Sequence, residues 1–77
     1  MKIYKVGDLI RHVHEDKQWI WKIIGIDAID KRYICELMQD AQGSFNTWHK
    51  GYRCTIHMAM ASLIKSNNTK SYLPGWL

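Results

Sequence analysis

Seventy-seven residues and 9.1 kDa allow a single domain, and an apolar share of 47% belongs to a folded chain rather than a disordered one. One proline and five glycines exclude collagen-like and low-complexity classes. A net charge of +4 excludes a carboxylate-studded mimic of DNA.

The first segment carries charges at Lys2, Lys5, Asp8 and Arg11 with no long apolar stretch after them, so neither a signal peptide nor a membrane span is expected. Two cysteines, Cys35 and Cys54, suit a reducing compartment, because a small disulfide-stapled secreted domain usually carries four or more. The expectation is a soluble, cytoplasmic protein.

The first predicted strand is Lys5–His14, entered through a bend at Gly7-Asp8. After the polar turn at 15–18 comes Trp19–Asp27, where Gly25 predicts a bulge or a sharp coil. Asp27 and Asp30 flank the next turn and are expected to form it through side-chain bonds to backbone N–H groups. The third strand is Arg32–Gln39, with Tyr33, Cys35 and Leu37 on one face. Residues 40–52 read as a long irregular loop. The fourth strand is Arg53–Met60, with Cys54, Ile56, Met58 and Met60 alternating on one face. Residues 56–65 also fit a helical period; the preferred reading is a turn at 59–62 and a short fifth strand, Leu63–Lys65.

Four to five short strands, a bulge and no long helix predict an all-β fold, a small barrel that removes exposed edges. The stretches Val6-Gly7-Asp8-Leu9-Ile10, Lys22-Ile23-Ile24-Gly25-Ile26-Asp27, Arg32-Tyr33-Ile34-Cys35 and Ser62-Leu63-Ile64 follow one another in an order that resembles small SH3-like barrels of bacteria and phages. The resemblance covers residues 5–65 and departs in the length of the 40–52 segment. It implies a binding module and no particular partner. The expected organisation is a barrel over residues 1–65 and an aromatic C-terminal tail over 66–77. The tail would dock on the barrel, on a second copy or on a partner.

Charge is uneven. Residues 1–40 balance seven basic side chains against all seven acids, whereas Lys50, Arg53, Lys65 and Lys70 face no acid in residues 41–77. That asymmetry reads either as a face for nucleic acid or an acidic partner, or as ordinary solubilising lysines.

Catalytic and metal chemistry find little support. His12 and His14 share a strand face, but no cysteine pair has zinc-knuckle spacing. Both cysteines fall on apolar strand faces, and no serine has a nucleophile-elbow context. Glu15 and Asp16 sit in a turn and read as solvated. No catalytic residue, metal site or cofactor is expected.

The aromatic residues carry the functional signal. Four tryptophans exceed what so small a core hides. Trp19 and Trp21 share one face. If Ile20, Ile24 and Ile26 point inward, the tryptophans form an exposed pair; alternatively they cap the end of the barrel. The loop from Phe45 to Arg53 mixes rings with Lys50 and Arg53, a composition that suits protein interfaces and single-stranded nucleic acid alike. The leading expectation is a protein partner bound by Trp19, Trp21, Trp48, Tyr52 and Trp76, with Lys50 and Arg53 setting orientation. By analogy this would be a small phage-type accessory or inhibitory protein acting on a host protein. The rival is a nucleic-acid-binding module using His49, Lys50, Arg53, Lys65 and Lys70 with Trp48 and Tyr52.

Overall fold

The computed structural model describes residues 3–66, and the predicted tail, with Trp76, lies outside them. The fold is all-β: strands, connecting turns and loops, and one short 3₁₀ turn make up the described residues. Strands run Leu9–His12 (β1), Trp21–Asp27 (β2), Arg32–Leu37 (β3), Ala41–Gln42 (β4), Thr47–Trp48 (β5), Arg53–His57 (β6) and Ala61–Lys65 (β7). Five of them form an antiparallel sheet in the order β6-β3-β2-β1-β7, and β4 pairs with β5 separately.

Local chemistry explains the boundaries. Asp8 N donates to Lys5 O at 3.0 Å across Gly7, whose φ of 96° suits glycine. The buried Asp8 side chain accepts from Lys5 N at 2.9 Å. Gly7 N and Asp8 O then bond Ile23 on β2, so the entry turn is stitched to the sheet. Asp27 Oδ1 accepts from Ile29 N and Asp30 N, both at 3.1 Å, so the Asp27 side chain builds the β2–β3 turn as predicted, while Asp30 takes part through its backbone N–H.

The bulge resets the alternation of β2 partway along the strand. Register runs Trp21↔Leu37 and Ile23↔Cys35, then jumps to Gly25↔Ile34, so Ile24 is the extra residue. A Cβ on Gly25 would approach Ile34 Cδ1 to 3.2 Å, so a larger residue after the bulge would press on that side chain. Trp21 and Ile23 therefore face inward ahead of the bulge, and Ile26, opposite buried Tyr33, rejoins that side after it. This corrects the alternative in which Ile20, Ile24 and Ile26 fill the core and the tryptophans stand outside. Trp21 is 2% exposed and Ile26 39%.

The core is Ile10, Trp21, Ile23, Tyr33, Cys35, Leu37, Ala41, Ile56 and Met58. The third strand behaves as its alternation predicts, with Tyr33, Cys35 and Leu37 fully buried. The fourth alternates only as far as Met58. There a 3₁₀ turn, Met58–Met60, takes over, capped by His57 Nδ1 accepting from Ala59 N at 3.1 Å, and leaves Met60 exposed. The last strand begins at Ala61, two residues before the predicted start.

Residues 40–52 are not one irregular loop. Ala41 pairs with Trp48 and Gln42 with Thr47 in a small hairpin closed by Gly43 N on Asn46 O at 2.8 Å. Ala41 is small enough to tuck into the core, and this anchors the hairpin.

Tyr33 joins core to N-terminus: its hydroxyl accepts from Tyr4 N at 2.9 Å, and the rings stack at 6.0 Å. Tyr33→Phe keeps the packing and orphans that amide. It should lower the unfolding free energy by about 1–2 kcal/mol in urea denaturation. An unchanged denaturation midpoint would contradict the bond's contribution.

Candidate functional site

Four of the five predicted anchors converge on one groove, and the fifth, Trp76, lies outside the described residues. Trp19, Trp21, Trp48 and Tyr52, with Glu15 and Cys54, line an open cleft of about 290 Å³. Three parts of the chain supply it: the β1–β2 loop, the start of β2, and the segment running through β5 into β6.

Trp21 is the floor. Its position on the inner face of β2 buries it, and its indole Nε1 donates to Glu15 Oε1 at 2.8 Å. Trp19, two residues earlier on the same side, stacks on it at 6.1 Å between ring centroids and 17° between planes. Tyr52 meets the other edge of Trp21 at 6.5 Å. Trp48 packs on Tyr52 at 4.8 Å with a tilt of 57°, within the edge-to-face range favoured by ring quadrupoles. Trp19 and Trp48 are half-buried and Tyr52 exposed, so these rings stay accessible.

Backbone geometry places Tyr52. Its N–H donates to His49 O at 3.1 Å across Gly51, whose φ of 97° suits a type II turn. Tyr52 O accepts from Leu37 N at 2.7 Å, which fixes the ring beside the end of β3. Gly43 lies close against Trp48: a Cβ there would come within 3.0 Å of the indole Nε1, so a larger residue would press on the ring.

The two walls are tied by Gln18. Its side-chain amide imitates a strand partner: Nε2 donates to Gln42 O at 2.8 Å, and Oε1 accepts from Gln42 N at 2.7 Å. Gln39 Nε2 in turn donates to Gln18 O at 2.8 Å. The loop bearing Glu15 and Trp19 is thus bonded to the hairpin bearing Trp48.

The basic residues stand elsewhere. Arg53 is exposed and sits opposite Glu36 on the side of β6 away from groove-lining Cys54. Lys50 is exposed and its backbone N–H donates to Asp40 Oδ1 at 2.8 Å. That bond, followed by His49 at 3.7 Å, holds the Asp40 carboxyl below the usual range. Neither Lys50 nor Arg53 lines the groove.

Glu15 was missed as a site residue because an acid in a turn reads as solvated. The available signal was the need of a buried indole for an acceptor, six residues along the chain. Gln18 had no such signal, since Gln42, which its side-chain amide bridges, is 24 residues away.

Cys54 lies directly opposite Cys35 on β3, and both are free thiols. Burial pushes Cys35 up to about 12, with Cys54 adding to the shift. Burial pushes Cys54 up to about 11, and the Glu15 carboxylate adds to that. Among the described residues no three His, Cys, Asp or Glu side chains gather as metal ligands. No helix among them is long and apolar enough to cross a membrane.

The raised thiols set a pH dependence. Below the ordinary value of 9.0 both folded and unfolded chains keep the protons, so their contribution to stability is fully present. Above it the unfolded chain ionises first, and stability falls as pH rises toward the folded values of about 11 and 12. Urea unfolding between pH 8 and 10.5 should therefore show a steeper loss for the native sequence than for Cys35→Ala. Equal slopes would contradict the shift.

Compared with protein-family models, curated proteins and solved structures, the chain matches none.

Proposed function

We propose that this chain is a non-enzymatic binding module, built as an SH3-like barrel, that recognises a protein through the groove of Trp19, Trp48 and Tyr52 over Trp21. The observation that carries the reading is the convergence of accessible tryptophan and tyrosine rings on a buried aromatic floor. Interface hot spots favour such rings in a desolvated pocket, because they bury large areas at little cost in side-chain entropy.

The barrel reading is supported by topology. The two edge strands, β6 and β7, are consecutive in the chain and joined by only three residues. Their ends therefore meet at one corner, as curling a sheet toward closure requires. The non-enzymatic reading is supported by the thiols. Nucleophilic cysteines have lowered values, whereas these are raised. A module of this kind acts by occupancy, and that suits an accessory or inhibitory role against a larger protein.

A tagged native chain and its Trp48→Ala variant should be compared in pull-downs from lysate, with low- and high-salt washes and with nuclease. The proposal expects a stoichiometric protein band that survives nuclease and high salt. Trp48→Ala should weaken its capture by about 2 kcal/mol, roughly thirtyfold. Retention that vanishes with nuclease, or with salt along a steep log–log slope, would overturn it in favour of nucleic acid.

A further inference from the structure

We propose that the groove receives an arginine side chain of the protein partner, its guanidinium stacked on Trp19, Trp48 or Tyr52 and paired with Glu15. This rests on the protein-binding reading above and adds the chemistry of the contact.

Glu15 carries the argument. Among the residues lining the groove it is the charged one, and it is acidic although the whole chain carries +4. Its carboxylate offers about four acceptor sites, and the hydrogen bond from Trp21 uses one of them. That bond also fixes the carboxylate against the aromatic floor. Its field reaches the groove wall, where it helps raise the neighbouring Cys54 thiol.

Ring faces carry negative potential, so rings and carboxylate act together on a cation and repel a phosphate. Among the described residues, no lysine or arginine lines the groove. Arg53 projects from the far side of β6, and Lys50 is not part of the lining.

The shape favours guanidinium over ammonium. The cleft is open on one side, and Trp21, being buried, offers little ring face to a ligand. A quaternary ammonium gains most when rings enclose it. A planar, weakly hydrated guanidinium needs only one or two rings to stack on and a carboxylate to receive its fork of N–H donors.

The test is an NMR titration of the full chain, following the indole N–H signals of Trp19 and Trp48. The probes are a capped Gly-Gly-Arg-Gly-Gly peptide and its counterparts with citrulline, a neutral isostere of arginine, and with lysine; a short oligothymidylate is the nucleic-acid probe. The arginine peptide should move both signals saturably in the millimolar range. Citrulline should bind about tenfold more weakly, as loss of a cation–π contact and its counter-ion implies. Glu15→Gln keeps an oxygen for the Trp21 indole, and should weaken the arginine peptide about five- to tenfold while leaving citrulline unchanged. The citrulline comparison needs no variant, so the test survives even if Glu15→Gln fails to fold.

Equal binding of arginine and citrulline, tighter binding of lysine, or no shift with any peptide would overturn the inference. The Trp48→Ala pull-down reads the protein-binding function separately, and a positive result there would leave that function standing. Oligothymidylate shifting the same signals, and binding more tightly to Glu15→Gln, would overturn both.

Discussion

A buried tryptophan has to hydrogen-bond its indole N–H, and at Trp21 that requirement ties the core to the groove. Burying a ring of this size is worth about 5 kcal/mol by area, whereas an unmade bond would cost roughly 1–3 kcal/mol. Burial therefore decides that Trp21 points inward, and the hydrogen bond decides what stands next to it. Glu15 is drawn from the β1–β2 loop onto the edge of the core. Trp19 is carried in behind it and stacks on the floor. From the other side Tyr52 reaches the same indole, and Trp48 follows by packing on Tyr52. A structural demand of the core has thus assembled a half-exposed aromatic surface with a carboxylate at its base.

Much of the fold is legible in the residues because local signals agree. Alternation at Tyr33, Cys35 and Leu37, the glycine turn at Gly7, the aspartate turn at Asp27 and the bulge before Gly25 each have a mechanism within a few residues of chain. All five main strands fall near their predicted places; the first four are trimmed by a few residues and the last is extended by two. The phase of β2 is different in kind. Apolar residues occupy both faces of that strand, so period two alone cannot say which is inside; partner strands β1 and β3 decide it by matching Trp21 to Ile10 and Leu37.

The site is legible in composition but not in assembly. Counting rings identifies Trp19, Trp21, Trp48 and Tyr52, and the fold brings those four together. It does not bring Lys50 or Arg53 with them, because strand alternation turns Arg53 to the opposite side from Cys54. The Gln18 amide, standing in as a strand partner for Gln42, depends on a contact across 24 residues. No local pattern announces such a contact. The hairpin within 40–52 is hidden for a different reason: two-residue strands are too short to show a period.

Isotope-labelled tryptophan shows most directly whether the aromatic groove over Trp21 is the binding surface. The indole N–H spectrum of the chain should be recorded alone and with the protein partner recovered by pull-down. The Trp19 and Trp48 signals should shift or broaden on binding, while Trp21 stays protected from solvent exchange in both spectra. Unchanged Trp19 and Trp48 signals in the complex, or a Trp21 indole exchanging as freely as theirs, would contradict that role for the groove.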